Sequence, residues 1–249
     1  MAIYNLTAAQ LRAGGILNSF EIPAVGSFTN LYSTQYDGVD DYVEVTPYAA
    51  LDGATSFSIS FWIKPTASVV RYCFFIDGTT DIQITYRGNS GAEYIDMSLI
   101  STSYYARSTP GSVPLNQWTH VVWTWDGSQT RYNKYKLYIN GQSDLNSNSG
   151  STISSLGTFT KLWIGKLDSN EWTGFFDEFA IYKNTILSQA NSDVIYNLGV
   201  PNDLNNNGLT APTNWWRFEE GSGTTAVDSG TGGNDGTLTN GVVYSTDVP

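Results

Sequence analysis

The chain is poor in cysteine, histidine and charge: of 249 residues one is cysteine, one is histidine and 14% are charged. A single cysteine excludes an intrachain disulfide and a thiolate-based metal site, and Cys73, set in VRYCFFID, is expected as a buried strand thiol. His120, in NQWTHVVWTW, has no nucleophile-elbow glycine pattern to serve. It reads as a strand histidine with satisfied hydrogen bonds. Basic residues are also scarce, 12 against 23 acidic, for a net charge of −11. That charge repels a phosphate backbone and an anionic lipid surface, so nucleic acid is excluded as a partner class and membrane insertion is not expected. Long apolar runs are missing as well. Nothing is long enough to span a bilayer, and MAIYNLTAAQLRAGGIL has neither the basic start nor the apolar stretch of a signal peptide.

What is abundant points in one direction. Eight Trp, 16 Tyr and 11 Phe stand among 24 Gly and many Ser, Thr and Asn, the composition of a turn-rich all-β protein. In SFSISFWIK, Phe57, Ile59, Phe61 and Ile63 alternate with Ser58, Ser60 and Trp62, the pattern of a half-buried strand. VRYCFFID, DIQITY, EYIDMSLI, WTHVVWTW, KYKLYI, KLWIG and FFDEFAIYK repeat the theme. Asn140-Gly141 predicts a type I′ hairpin, whose two central residues need φ > 0. One helix is predicted near 188–198, with Ser188 as its N-cap, Gly199 as its stop and Val194, Ile195 and Leu198 on one face. Residues 1–30 differ from the rest, with TAAQLRAGG as a short helix behind Thr7, and are expected to form an N-terminal arm or docking segment. Many antiparallel strands without βαβ alternation predict a sandwich.

The order YDGVDDYVEV, SFSISFWIKP, NQWTHVVWTWDG, KLYINGQ, KLWIGK, GFFDEFAIYKNTILSQ resembles the laminin-G-like, concanavalin A-like lectin/glucanase family over residues 31–199. The resemblance implies an antiparallel jelly-roll β-sandwich. NWWRFEEGSGTTAVDSGTGGNDGTLTNG looks like the segment that usually opens this family's domain, yet here it comes last. The expectation is one permuted domain over 31–249: a main body at 31–199, a loop at 200–212, and strands within 213–244 that complete the sandwich.

The same resemblance implies candidate sites. Family members often hold Ca²⁺ between the D-G-x-D-D-Y turn and a D-E pair near the last strands, which carries over to Asp37 and Asp40 with Asp177 or Glu178. The competing reading is turn chemistry at Asp37-Gly38 and capping of backbone amides by Asp177 or Glu178. Trp172, Tyr104 and Tyr105 are candidate exposed platforms for sugar rings, against the commoner role of aromatics as core. Glucanases of this fold carry E-x-D-x-x-E along one strand. Here Glu93 and Asp96 are three apart, on opposite strand faces, so no enzyme is expected. The expected function is a non-enzymatic virion structural or adhesion protein, a phage head decoration or fibre component with cell-surface glycans, other virion proteins or further copies of itself as partners. The alternatives are a bacterial extracellular carbohydrate-binding module and a degenerate glucanase-like accessory domain.

Overall fold

The computed structural model describes residues 28–89, 91–99 and 104–249. In chain order the strands are β1 (Ser33–Asp37), β2 (Tyr42–Val45), β3 (Ser56–Pro65), β4 (Arg71–Gly78), β5 (Ile82–Arg87), β6 (Tyr94–Leu99), β7 (Tyr104–Ser108), β8 (Thr119–Asp126), β9 (Tyr135–Ile139), β10 (Gln142–Ser143), β11 (Leu145–Asn148), β12 (Phe159–Ile164) and β13 (Thr173–Lys183). Helix α1 (Gln189–Tyr196) follows, and then β14 (Asn214–Trp216), β15 (Thr225–Ala226), β16 (Gly236–Thr239) and β17 (Val243–Ser245). One sheet has the order β10-β9-β8-β3-β13-β1-β17, with β14 also on β13; the other runs β11-β7-β6-β5-β4-β12-β2-β16-β15. Every pairing is antiparallel. The fold is the all-β jelly-roll sandwich expected.

The layer between the sheets is filled by the alternate apolar residues of each strand. Phe57, Ile59, Phe61 and Ile63 of β3 meet Cys73, Phe74, Ile76, Ile84 and Met97 of the opposite sheet. The second face of β3 departs from expectation, because Ser58, Ser60 and Trp62 are buried too. A smaller core of Val122, Tyr138, Ala180, Tyr182, Leu187, Ile195, Leu204 and Trp215 covers that side of the sheet.

Helix α1 is capped as its sequence suggests, by Ser188 and Asn191 bonding each other's backbone amides. It ends earlier than expected, at Asn197 in the left-handed region, and Leu198 and Val194 face solvent, so only Ile195 and Ser192 are buried. The β9–β10 hairpin turns at Asn140 and Gly141 with φ of 49° and 78°, as type I′ requires.

The C-terminal residues complete both sheets. β14 lies against β13, β16 against β2, and β17 against β1. Trp215, Trp216 and Phe218 are consequently buried. The predicted helix behind Thr7 and the bulk of the expected arm lie outside the described residues. Just after them, Phe28 stacks on Trp215 at 6.2 Å, and the Leu31 and Tyr32 amides donate to Glu219 at 3.0 Å.

Candidate binding face and its neighbouring acids

Strand alternation puts one set of side chains of the nine-stranded sheet into the core and the other on its outer face. Six register pairs align a single outer row across seven strands: Tyr105, Ser98, Gln83, Phe75, Trp163, Glu44 and Thr237. A parallel row holds Arg107, Asp96, Thr85 and Tyr72. The floor of the face is low: Gln83, Thr85 and Ser98 are buried, while Tyr105, Trp163 and both flanking arginines are partly exposed.

At one end, Asp96 is clasped by two arginines. Arg87 Nε donates to Oδ2 at 2.9 Å, and Arg107 donates through Nε to Oδ1 at 2.6 Å and through Nη2 to Oδ2 at 3.0 Å. The Arg107 guanidinium also lies over Tyr94 at 5.0 Å and Tyr105 at 5.5 Å. Its hydrogen bonds to Asp96 raise its pKa further. At the other end Trp163 Nε1 donates to Glu44 at 3.1 Å, Lys161 sits 4.3 Å over the indole, Phe75 tilts against it, and Lys166 covers Tyr42.

The acidic turn quoted from the sequence is a corner between sheets, since β1 belongs to one and β2 to the other. Its carboxylates do gather: oxygens of Asp37, Asp40 and Asp41 all lie within 4.8 Å of one another. Turn chemistry uses part of them, with Asp37 Oδ1 accepting from the Val39 amide and Asp41 Oδ2 from the Asp37 amide. Gly38, at φ 81°, is required because a Cβ there would stand 2.1 Å from Thr173 Oγ1. Asp41 Oδ1 is buried without a partner among the described residues. Burial, with Asp37 and Asp40 adding to it, raises the Asp41 pKa. Three carboxylates and one orphaned oxygen fit a hard cation, whose remaining ligands, of about six to eight oxygens in total, would be carbonyls and water.

Asp177 and Glu178 do not join them. Asp37 pairs with Thr173, four residues before Asp177, so the strand separates them by about 13 Å. The pair belongs instead to a bulge in β13, where the register against β3 shifts between Asp177 and Ala180 and Glu178 has φ 51°. The bulge lets Phe176 and Phe179 both enter the core and turns the two acids to the covered outer side. There Asp177 accepts from Asn30 Nδ2 at 2.8 Å and from the Glu178 amide at 2.9 Å, the capping role foreseen as the alternative. Glu178 accepts from Trp215 Nε1 at 2.6 Å and has Arg217 Nε at 3.5 Å, an ion-pair distance outside hydrogen-bond geometry.

Beside Glu178 a cavity of about 10 Å³ is lined by Ser60, Trp62, His120 and Asn202 among others. It has room for about one water and none for a sugar ring. His120 shares a 2.9 Å hydrogen bond with Ser60 Oγ, but its Nδ1 lacks a partner among the described residues, so its expected satisfaction is only half met. Burial takes its pKa down to about 3.

The proposed sugar platforms fare unequally. Trp172 is fully buried against Tyr86 and Phe176, because the chain turns inward before β13, and it offers no surface. Tyr104 is half-buried, packed on the core, and bonded to Thr152 at 2.7 Å. Tyr105 lies on the outer row. Glu93 and Asp96 are apart in role as in spacing, Glu93 bonding Ser68 and the Gly91 amide. Sequence reasoning missed Arg87, Arg107, Gln83 and Trp163. Alternation in DIQITYR and KLWIG marks their face, but only the strand register aligns them. A separate hollow of about 470 Å³ beside β8 and β9, lined by Asp126, Lys134, Lys136 and Ile186 among others, has no aromatic ring in its wall.

No curated protein matches the sequence. Among solved structures, the heptameric SAP-like pentraxin of Limulus polyphemus superposes with TM-score 0.62 at 14% identity, over 87% of this chain and 95% of that one. A putative carbohydrate-binding protein of Bacteroides ovatus gives 0.63 at 16%, over 89% of this chain and 62% of that one. The CBM40 of the Ruminococcus gnavus IT-sialidase, bound to α2,3-sialyllactose, gives 0.50 at 12%, over 68% and 100%. At these identities the likeness is one of fold. A family model described as the concanavalin A-like lectin/glucanases superfamily matches residues 37–191, more than half of the sequence, and the chain belongs to that superfamily.

Proposed function

We propose that the outer face of the nine-stranded sheet is a glycan-binding platform and that the chain works as a non-enzymatic binding module. The observation that carries this is the single row from Tyr105 to Trp163, two half-buried rings separated by the polar Ser98 and Gln83 and by Phe75, which packs against Trp163. Four inter-strand steps put them about 19 Å apart, the reach of a short oligosaccharide rather than one sugar. Rings can stack on sugar faces while Gln83 and Ser98 exchange hydrogen bonds with hydroxyls. Two of the structural relatives are a putative carbohydrate-binding protein and a module bound to a sialylated sugar, which supports the reading.

Hydrolysis is not part of it. The carboxylates of this face, Asp96, Glu44 and Asp77, are held by arginines, by Trp163 and by the Thr160 hydroxyl, and Asp96 and Glu44 stand four strands apart. That is about 19 Å, beyond the roughly 5–9.5 Å that glycosidases use. The calcium implied by the family resemblance is proposed for the Asp37–Asp41 corner alone. The module is displayed either on a virus particle, where many copies add their weak contacts through avidity, or on a bacterial surface. Mass spectrometry of purified particles separates the two settings.

A glycan array followed by calorimetry tests the face. Trp163→Ala is expected to weaken oligosaccharide binding by about tenfold or more, the equivalent of ~1.4 kcal/mol, with the melting curve retained. Unchanged affinity in that variant, or an array without a hit, overturns the proposal.

A further inference from the structure

The outer face gathers a third of the 12 basic residues of the chain. Arg87, Arg107, Lys161 and Lys166 lie on or against it, interleaved with Glu44, Asp77 and Asp96, on a chain of net −11. The arginines are the more specific part. Arg87 reaches Asp96 only through Nε, and Arg107 only through Nε and Nη2. Among the described residues the other guanidinium N–H groups have no acceptor, and the two side chains are 35% and 36% exposed. Asp96, 5% exposed, locks both forks in place, so the outward N–H groups are preorganised. Tyr94 and Tyr105 flank Arg107 and give a sugar ring a face to rest on.

Resting on the glycan-binding reading above, we propose that this end of the face selects carboxylated sugars, the sugar carboxylate accepting from the outward N–H groups of Arg87 and Arg107. A neutral sugar at the same place would leave those donors to water, whereas a carboxylate matches their planar fork. The four cations also offset, at this face, the repulsion that the rest of the acidic protein exerts on anionic chains.

Calorimetry compares tetragalacturonate with its methyl ester, and 3′-sialyllactose with lactose, at low and moderate salt. The wild type is expected to prefer the acid of at least one pair by about tenfold, with the preference shrinking as salt rises. Arg87→Gln leaves Asp96 paired to Arg107, and is expected to cut that preference to about twofold or less while neutral-sugar binding persists. Arg107→Lys, which keeps the charge and loses the fork, gives the same direction. Which acid is favoured separates a uronate from a sialate source. Equal binding of acid and neutral forms, or a preference that survives both variants, overturns this inference and leaves the glycan-binding reading standing. Binding of neither form overturns both.

Discussion

Glu178 sits in a conflict that its neighbours relieve only in part. Burial raises its pKa to about 8 against the opposing pull of Arg217 and the Trp215 indole, and Asp177 beside it is raised in the same direction. The folded chain therefore holds a proton that the unfolded chain releases near 4.5. Its contribution to stability is complete below that value and is lost as pH rises through about 8. His120 works the other way: its contribution is present above 6.5 and is lost as pH falls toward about 3. Between 8 and 6.5 acidification stabilises, between 6.5 and 4.5 the histidine opposes the acids, and only below 3.8, the ordinary value of Asp177, does the histidine dominate. Thermal melts are expected to show maximum stability on the acid side of neutrality. Glu178→Gln supplies a neutral acceptor for Trp215 and is expected to raise Tm at pH 8, at about 2–4 °C per kcal/mol for a chain of this size, while flattening the limb between pH 6.5 and 8. The same pH profile in the variant removes Glu178 from the account.

At the scale of elements, the β1–β2 corner is the place where a metal would matter, because it joins the two sheets beside their C-terminal strands β16 and β17. A cation held by Asp37, Asp40 and Asp41 would bind the folded corner and not the unfolded chain, and would stabilise by mass action. Asp40 is the clean probe: it is exposed, and only its backbone carbonyl is used, by Asn240. Millimolar calcium is expected to raise Tm by about 5–11 °C, the equivalent of about 2.7 kcal/mol at a hundred times Kd, and Asp40→Asn to abolish the rise. A Tm unmoved by calcium and by chelator leaves the corner to turn chemistry. The corner, the Asn140-Gly141 hairpin and the Ser188 cap were legible because each is written within a few consecutive residues. The bulge was not. FFDEF reads as plain alternation with one extra acid, and only pairing with β3 shows that the extra residue is what keeps Phe176 and Phe179 both inward. Nor was the burial of Trp172 legible, or the cover over Ser58, Ser60 and Trp62, since both depend on segments distant in sequence.

For the whole molecule, the C-terminal strands raise the question of chain order. β17 runs antiparallel to β1 with Ser245 opposite Ser33 and Val243 opposite Gln35, so the end of the chain returns to the place where the sandwich starts. Asp247 secures it, accepting from Trp118 Nε1 at 2.9 Å and from Lys64 Nζ at 2.5 Å, with its carbonyl receiving the Ser33 hydroxyl at 2.7 Å. Linking Pro249 to Phe28 would turn this distant pairing into a local hairpin and restore the order in which the resembling family is expected to draw its strands. New termini can open at Gly208, in the connection after α1, where a Cβ would meet nothing within 4 Å. A chain running from residue 208 to 249, through a short glycine-rich linker, and on from 28 to 207 is expected to give the same far-ultraviolet circular dichroism and to keep the glycan affinity of the parent. It should also fold faster, because closing a loop of more than 200 residues is replaced by closing a short one, and local contacts speed folding. Stopped-flow refolding and equilibrium melts measure both. A permuted chain that fails to fold, or that folds only as a swapped oligomer, would show that the linear order found here is a requirement of this sandwich and not one of two equivalent ways of threading it.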